Sequence, residues 1–277
     1  YGYPEWAINK IFSEYGREKG KEIVAAKKRG GTHVRTNGLI YSDEKFERDL
    51  ENAGYKFEKT KTGYYVSMNP LLKKLFIEGR ITYQSLTSTY AALALDVKDG
   101  QNVLDVCSAP GGKAIFVAEK NPTANVVACD IHPHRVELIG AYARRMHVKN
   151  VTPTLFDGTS FNKEWAGHFD RVLCDVPCSA MGVVKKQPDV LLNRNENDIT
   201  ALKKVQYSIL DNAKNYVKRG GLLVYSTCTI FKEENDDNVE EFLKNNNDFE
   251  KYPSEFDGQY LPCDTHDGFF IRRLRRK

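Results

Sequence analysis

The stretch Asn102–Lys113 constrains this sequence most, because it joins a short apolar run to a turn made of small residues, a proline and a glycine pair. This pattern predicts a buried strand, a tight turn and the start of a helix. A turn without bulky side chains lets backbone N–H groups at a helix N-terminus approach an anionic or polar ligand. We therefore interpret the stretch as a ligand-binding loop.

Two familiar nucleotide-binding patterns do not fit this loop. A phosphate-binding P-loop needs glycine six places before its lysine and Ser or Thr after it, whereas Cys107 and Ala114 occupy those places around Lys113. The dinucleotide pattern G-x-G-x-x-G is missing as well. A glycine-rich turn without a ligand is the remaining alternative, and the sequence downstream argues against it.

Carboxylates follow three successive predicted strands downstream of the loop. The first comes about 20 residues beyond the loop, where nucleotide-binding α/β units place a ribose-binding carboxylate. One such aspartate could be a helix N-cap, but three in a row favour a shared site at the carboxyl edge of a parallel sheet. They are Asp130 after the strand Ala124–Cys129, Asp157 after Val151–Leu155 and Asp175 after Arg171–Cys174.

Strands and helices continue to alternate to the C-terminus, which predicts an α/β fold with a doubly wound sheet for residues 77–277. Residues 1–76 differ in pattern, and we predict that they form a small α+β accessory RNA-binding module. Its elements are an amphipathic helix at Glu5–Tyr15 and a β-α-β layer at Thr32–Asn37, Glu44–Ala53 and Gly63–Met68. The larger domain is predicted to contain helices at Pro133–Met146, Ile199–Val217 and Glu233–Leu243, and strands at Leu222–Ser226 and Phe269–Leu274.

The composition is that of a globular protein, with 41% hydrophobic and 28% charged residues in a chain of 277. Because we find neither an apolar stretch of membrane-spanning length nor a leader pattern, we expect a cytoplasmic protein that contacts no membrane. Since residue 1 is Tyr, we expect a piece of a longer protein. The net charge of +4 is modest, but four basic clusters could follow a phosphate backbone: Lys27–Arg29, Arg144–Arg145, Lys185–Lys186 and Arg272–Lys277.

Two cysteines stand near a carboxylate at predicted strand ends. Asp175 and Cys178 are three residues apart, with a proline between them, and Cys228 follows the strand Leu222–Ser226. A single cysteine is more typical of a protein core, and none of the six is spaced for a zinc site, so we expect no metal. If both strand ends face one cleft beside Gly111, the two thiols and the carboxylate favour catalysis.

Five motifs closely resemble, in the same order, those of the Sun (NOL1/NOP2/Sun) family of RNA cytosine-C5 methyltransferases. The resemblance covers nearly the whole chain. It implies a Rossmann-like, doubly wound methyltransferase domain that depends on S-adenosylmethionine. The motifs are Asp105–Lys113, Asp175–Ser179, Lys185–Asp189, Tyr225–Thr229 and Asp267–Phe270.

The resemblance also implies the RNA partner. Within the family the sequence is most similar to the bacterial small-subunit rRNA enzymes, so we expect a monomer that acts on 16S rRNA. Those enzymes usually carry a further N-terminal helical domain resembling NusB, which we expect to precede Tyr1 in the longer protein. Methylation of tRNA cytosine C5 and a non-catalytic, cofactor-retaining RNA-binding scaffold are the alternatives. Methylation of an exocyclic amine is disfavoured, because Pro177 is followed by Cys178 and Ser179 rather than by an aromatic residue.

The implied methyl donor is S-adenosylmethionine. Chemically, Asp130 suits ribose hydroxyls, Asp157 suits the adenine amino group, and the loop with Lys113 suits the methionine end. The residues that the resemblance assigns to the cofactor are Cys107, Ser108, Ala109, Pro110, Gly111, Gly112, Lys113, Asp130, Arg135, Asp157 and Asp175.

The expected reaction follows from the chemistry of the base. Cytosine C5 is a weak nucleophile, so a thiolate must first add at C6. The resemblance implies that Cys228 attacks and that Cys178 helps to release the product, whereas DNA cytosine-C5 methyltransferases use the Pro-Cys thiol, which would be Cys178. We assign Asp175 to activation of the base at N3. The target base must be unpaired or flipped out of its stack.

Overall fold

The computed structural model describes residues 2–27 and 30–277. Tyr1 lies outside the described residues, as do Lys28 and Arg29 of the first predicted basic cluster. The helices are α1 (Glu5–Tyr15), α2 (Arg17–Ala25), α3 (Asp43–Asn52), α4 (Pro70–Ile77), α5 (Leu86–Ala94), α6 (Gly112–Lys120), α7 (Pro133–Arg145), α8 (Glu196–Ala213) and α9 (Asp236–Asn245). The strands are β1 (Thr32–Thr36), β2 (Phe57–Lys59), β3 (Tyr64–Val66), β4 (Ile81–Tyr83), β5 (Asn102–Asp105), β6 (Asn125–Asp130), β7 (Val151–Leu155), β8 (Phe169–Asp175), β9 (Val217–Thr227), β10 (Phe249–Lys251), β11 (Gly258–Tyr260) and β12 (Phe269–Arg276).

The larger sheet has the strand order β10-β12-β9-β8-β5-β6-β7, and β11 pairs with β12. Neighbouring strands from β7 to β9 are parallel, whereas β12 runs antiparallel to both β9 and β10. The chain reverses its direction of winding between β5 and β8, and open α/β sheets bind ligands at such a switch point. The prediction of a doubly wound α/β fold is confirmed.

Helices cover both faces of this sheet. Successive residues of a strand point to opposite sides, so apolar neighbours in sequence pack against different helices. Val103 of β5 and Leu173 of β8 pack with residues of α5, α6 and α7. Their neighbours in sequence, Leu104 and Cys174, pack with residues of α8 and α9 on the other face. Burial on both faces explains the uninterrupted apolar runs within the central strands, which are Val103–Leu104, Val126–Cys129 and Val172–Cys174.

The smaller sheet is antiparallel, with the strand order β2-β3-β1-β4. Its core includes Val34, Phe46 and Tyr64, so the aromatic residues in this region serve packing. Because β4 pairs with β1 through Thr36 and Ile81, this sheet continues beyond residue 76, where we had placed the domain boundary. Strand β4 was not predicted because it is only three residues long, too short for periodicity to indicate it.

A buried ion pair fixes the smaller sheet against α6. Arg35 of β1 pairs with Glu119 of α6, and both residues are almost fully buried. The Nε atom of Arg35 also donates to Oε1 of Gln84 at 2.8 Å, and its guanidinium lies 4.6 Å from the ring centroid of Phe116. Removing one partner of such a pair leaves a buried charge and typically costs about 3–5 kcal/mol.

Helices α1 and α2 pack against the larger domain rather than against the smaller sheet. They share an apolar cluster with Ile230 and Phe231, just beyond Cys228. The hydroxyl of Tyr15 donates to the carbonyl of Ile230, and a carboxylate oxygen of Glu14 accepts from the backbone N–H of Lys232 at 3.0 Å. The module predicted at residues 1–76 therefore consists of two parts that contact different regions of the larger domain.

Candidate active site

The loop after β5 turns tightly into α6. The N–H of Ser108 donates to the carbonyl of Cys129 at 2.6 Å, and the N–H of Gly111 donates to the carbonyl of Ser108 at 2.7 Å. Gly111 directly precedes α6 with a φ of 109°, a conformation that favours glycine. Because the first N–H groups of a helix have no partner within it, this turn can present backbone donors to a ligand.

A cavity of about 450 Å³ opens beside this loop, at the carboxyl ends of β5, β6 and β8. Eight of the predicted site residues line it, whereas the other loop residues, Ser108, Pro110, Gly111, Gly112 and Lys113, form the turn and the first turn of α6. The fold thus brings together residues from five segments of the chain. The lining residues that we had predicted are Cys107, Ala109, Asp130, Arg135, Asp157, Asp175, Cys178 and Cys228.

The apolar side of this cavity was missed in the sequence analysis. Ile131, Phe156, Val205 and Ile209 line it, and Ile131 and Val205 are 51% and 42% exposed. Ile131 and Phe156 adjoin Asp130 and Asp157 in sequence, a signal that could have identified them. The other two belong to α8 and reach the cavity only through the fold. Apolar walls with a few polar groups are typical of a site for a small organic ligand.

Asp130 is held in place at the end of β6. Its Oδ1 accepts from the N–H of His132 at 3.0 Å, and its Oδ2 lies 3.0 Å from Nη1 of Arg135. The Nη2 atom of Arg135 donates in turn to the carbonyl of Ala109 at 3.3 Å. Arg135 therefore connects the carboxylate of Asp130 to the loop after β5.

Asp157 lies beyond the end of β7, and hydrogen bonds from Thr159 fix the orientation of its carboxylate. Its Oδ1 accepts from the N–H of Thr159 at 2.9 Å and from the hydroxyl of Thr159 at 2.7 Å. These hydrogen bonds lower the pKa of Asp157. The side chain is therefore an ionised acceptor at neutral pH, which suits an amino group of a ligand.

Asp175, at the end of β8, accepts two side-chain hydrogen bonds. Its Oδ1 accepts from the hydroxyl of Ser226 at 2.7 Å, and its Oδ2 accepts from Nζ of Lys113 at 2.5 Å. Burial is the largest single effect and would lower the pKa of Lys113, but the charge and the hydrogen bond of Asp175, with smaller contributions from Asp105 and Cys228, together raise it by more. Lys113 therefore carries a proton one hydrogen bond away from a carboxylate that lines the cavity.

The two predicted thiols lie side by side. The Sγ atoms of Cys178 and Cys228 are 3.3 Å apart, although 50 residues separate them in sequence. The hydrogen bond to Cys228 and then burial raise the pKa of Cys178, and the negative charge of Glu234 adds to the effect. Cys178 is therefore held as a thiol, and Cys228 is the more accessible of the two.

Backbone hydrogen bonds tie the two cysteine loops together. The N–H of Gly182 donates to the carbonyl of Cys228 at 2.9 Å, and the N–H of Gly268 donates to the carbonyl of Gly182 at 2.8 Å. A Cβ atom on Gly182 would lie only 2.3 Å from the carbonyl oxygen of Gly268. The contact between these segments therefore requires glycine at position 182.

Buried polar atoms in and beside the loop lack partners within the described residues. Both carboxylate oxygens of Asp105 and the hydroxyl of Ser108 are buried without a hydrogen bond to that part of the chain. Burial, followed by the charge of Asp175, raises the pKa of Asp105 to about 7. Since buried polar groups almost always have partners, these atoms suit a ligand that carries hydrogen-bonding groups of its own.

The remaining cysteines do not join this site as a metal centre. Burial raises the pKa of Cys129 and of Cys174, as expected for inert core thiols. In residues 2–27 and 30–277, no three His, Cys, Asp or Glu side chains are grouped so that they could hold a metal ion. No helix within these ranges has the length and apolar character needed to cross a membrane.

Most cations of the predicted basic clusters have partners inside the fold. Arg145 donates to the carbonyls of Phe76 and Ile81, and Lys186 pairs with Asp267 at 2.6 Å. The C-terminal cluster is used to hold β12 in place. Its contacts are Arg272 with Asp236, Arg273 with the carbonyls of Tyr252 and Pro253, Arg275 with Glu250 and Arg276 with Asp248. Fewer of these clustered cations are therefore free to contact RNA than the sequence indicated.

Known proteins are similar to this chain in sequence and in fold. The family model described as 16S rRNA methyltransferase RsmB/F matches residues 92–275. The chain is 32% identical over 288 residues to ribosomal RNA small subunit methyltransferase B of Photorhabdus laumondii subsp. laumondii, covering 99% of this chain and 66% of that protein. The protein with the same description from Pasteurella multocida is 32% identical over 301 residues, with 99% and 65% covered.

Among solved structures, a methyltransferase homolog protein from Pyrococcus horikoshii matches with a TM-score of 0.84 and 26% identity. The match covers 100% of this chain and 96% of that chain. By contrast, this chain spans 66% and 65% of the two bacterial relatives. The similarity therefore includes the whole of the fold described above and only part of the bacterial proteins.

Proposed function

This chain belongs to the RsmB/F family of 16S rRNA methyltransferases, and from that premise we propose that it methylates C5 of a cytosine in small-subunit rRNA. The observation that carries the proposal is the pair of thiols, 3.3 Å apart, in the same cavity as Asp175, whose carboxylate pairs with Lys113. A single thiol suffices as a nucleophile. A second thiol in contact with it suits a reaction in which a covalent adduct must form and then be resolved.

S-adenosylmethionine is the methyl donor, and when bound it supplies an electrophilic methyl group. The residues of the cavity fit it. Asp130 and Asp157 offer carboxylates to the ribose hydroxyls and the adenine amino group, while Ile131 and Phe156 belong to an apolar wall suited to a planar ring. The unpartnered polar atoms near Ser108 suit the charged methionine end.

Cys228 is the nucleophile in this proposal. Its thiolate adds to C6 of cytosine, which raises the electron density at C5 enough for C5 to accept a methyl group. Cys178 is unsuited to this first step, because its pKa is raised and its side chain is buried. A neutral thiol 3.3 Å from the attacking sulfur can instead donate a hydrogen bond that stabilises the Cys228 thiolate.

Asp175 and Lys113 activate the base. Addition at C6 places negative charge on the ring, and a proton or a hydrogen bond at N3 stabilises that charge. The carboxyl group of Asp175 lines the cavity, and the ammonium of Lys113 behind it can supply the proton. After methyl transfer, C5 loses its proton to a base and the bond from Cys228 to C6 breaks. Cys178, in contact with the departing sulfur, assists this release.

Mapping of a trapped adduct tests the proposal. In 16S rRNA fragments that contain 5-fluorocytosine, fluorine replaces the hydrogen that C5 must lose as a proton. The release step is therefore blocked, and the covalent adduct persists. We expect mass spectrometry to find the adduct on Cys228 in the wild-type protein and none in a Cys228→Ala variant that still binds the cofactor. An adduct on Cys178 would reverse the roles of the thiols, and the absence of any adduct would contradict cytosine-C5 chemistry.

The same assay separates the proposal from its alternatives. An adduct with fluorinated tRNA but not with rRNA would favour a tRNA enzyme. Cofactor and RNA binding without an adduct or a methylated product would favour a scaffold. A cytoplasmic location and a monomeric state remain predictions, which cell fractionation and light scattering would check.

A further inference from the structure

The dipeptide Glu234-Asn235 is hydrogen-bonded, directly or through Gln206, to the residues on either side of both thiols, and it does not line the cavity. Both residues are fully buried, at the end of the short 3-10 turn Lys232–Glu234 and the start of α9. A buried carboxylate is costly unless its oxygens accept hydrogen bonds. The partners of Glu234 therefore indicate what it does.

Glu234 holds the segment that carries Cys178. Its Oε1 accepts from the backbone N–H of Ser179 at 2.8 Å, and its Oε2 accepts from the hydroxyl of Ser179 at 2.5 Å. The amide of Gln206 donates to Oε1 of Glu234 at 2.9 Å and to the carbonyl of Pro177 at 3.0 Å. The residues before and after Cys178 are thus both attached, directly or through Gln206, to one carboxylate.

Asn235 holds the segment that carries Cys228 in the same way. Its Oδ1 accepts from the hydroxyl of Thr227 at 2.6 Å, and its Nδ2 donates to the carbonyl of Thr229 at 3.2 Å. These two threonines flank Cys228 in sequence. Each cysteine is therefore held from both sides by one member of the dipeptide.

A direct contact joins the two halves of this arrangement. The hydroxyls of Ser179 and Thr229 are 2.7 Å apart. Because the Ser179 hydroxyl donates its hydrogen to Glu234, the Thr229 hydroxyl must donate to Ser179. One buried chain of hydrogen bonds then runs from Glu234 through both cysteine segments.

We infer that Glu234 and Asn235 are positioning residues, which set the separation of the Cys178 and Cys228 sulfurs through the four residues that flank them. The inference rests on the proposed function for its catalytic consequence, but not for its geometry. Neighbouring atoms must be held to within about 1 Å for efficient reaction, and a misplacement of that size can cost about 100-fold in rate. A buried network with every member paired can hold such a geometry.

Thiol cross-linking tests the geometry without any need for activity. Diamide oxidises two adjacent thiols to a disulfide and is itself reduced to the hydrazine, taking up both thiol hydrogens. In the wild-type protein we expect peptide mapping to show rapid formation of the Cys178–Cys228 disulfide. In Glu234→Gln an amide replaces an acceptor and the Ser179 segment loses a contact. Loss of the Glu234 charge also lowers the pKa of Cys178, which favours the reactive thiolate, but we expect the loss of geometry to dominate and the disulfide to form about 10-fold more slowly.

The matched control is Glu119→Gln, which changes another buried glutamate, the one paired with Arg35. We expect it to lower stability but to leave the rate of disulfide formation at the wild-type value. For Glu234→Gln we expect kcat to fall about 100-fold while the Kd for S-adenosylmethionine stays nearly constant, and Glu234→Asp to recover part of kcat. Wild-type rates of cross-linking in a folded Glu234→Gln protein would overturn the inference.

If circular dichroism shows that Glu234→Gln does not fold, Ser179→Ala takes its place. This variant removes one hydroxyl from the network and leaves the buried carboxylate with the backbone N–H of Ser179 and the Gln206 amide. Slower cross-linking supports the inference, and an unchanged rate overturns it. Failure of cytosine methylation in the wild-type protein would bear on the proposed function alone, since cross-linking needs neither RNA nor cofactor.

Discussion

Replacement of Gly182 by alanine is the sharpest test of how the cysteine segments are packed. The added Cβ would lie 2.3 Å from the carbonyl oxygen of Gly268 and 2.8 Å from the carbonyl oxygen of Cys228. Both neighbours are backbone atoms, so neither can rotate away. Since ordinary contacts of a Cβ begin near 3.4 Å, the segments must separate by about 1 Å. That separation would stretch the hydrogen bond from Gly182 to Cys228.

The size of the expected effect follows from this displacement. Overpacking of this kind costs about 1–3 kcal/mol of unfolding free energy, and each kcal/mol lowers Tm by about 2–4 °C in a domain of similar size. The Cys228 segment must itself shift by about 0.6 Å, and since a misplacement of about 1 Å can cost about 100-fold, kcat should fall at least about 10-fold. Binding of S-adenosylmethionine should change little, because Gly182 does not line the cavity.

The assay is single-turnover methylation of an rRNA fragment, together with calorimetric titration of the cofactor and thermal unfolding. Gly38→Ala is the matched control, because its Cβ would meet only the Glu119 side chain, at 3.7 Å. Full activity of Gly182→Ala in a folded protein would refute the reasoning. An equal loss of activity in Gly38→Ala would show that the effect is not specific to the cysteine segments.

Two further predictions concern the thiols and a buried carboxylate. Cys178→Ala should still form the adduct at Cys228 with unmodified RNA but should release it slowly, so that a protein–RNA band accumulates in a denaturing gel; wild-type turnover without this band would contradict the role in release. Asp105 has a folded-state pKa raised to about 7 from 3.8. Its contribution to the free energy of unfolding is therefore complete below pH 3.8 and is lost as the pH rises through about 7. Asp105→Asn should therefore gain stability relative to wild type between about pH 4 and pH 7, by up to roughly 4 kcal/mol in urea unfolding, and a difference that does not vary with pH would rule out this titration.

The strand-turn-helix unit at the start of the larger domain was predictable, because the information for it is local. The expected strand at Asn102 matches β5, and the glycine pair leads into α6 as anticipated. The shared position of Asp130 and Asp175 followed from a general rule about parallel sheets rather than from any pairwise signal. For these residues, patterns within the sequence were sufficient to predict where they lie in the fold.

Helix α8 shows where local patterns fail. Its predicted range was Ile199–Val217, whereas the helix is Glu196–Ala213. It begins earlier because Asn195 and Asp198 form a capping box, and it ends earlier because Val217 pairs with Phe169 of β8. Helical spacing could not reveal that pairing, since a partner almost 50 residues away decides it.

The same limit explains which polar residues were missed. Nothing in the sequence around Glu234 indicates that its carboxylate meets Ser179, and nothing near Arg275 indicates that it pairs with Glu250. Both contacts arise when distant strands and helices come together. Motifs therefore indicated residues that line the cavity, and the polar groups around them became visible only in three dimensions.

The packing of α1 affects how this protein can recombine with its relatives. Glu14 and Tyr15 of α1 are hydrogen-bonded to the backbone of Lys232 and Ile230, respectively. Helix α1 and the segment after Cys228 therefore form one structural unit. In a chimera with a crossover between the smaller sheet and the larger domain, α1 would come from one parent and the segment after Cys228 from the other. We therefore expect functional chimeras to take α1 and the segment after Cys228 from one parent.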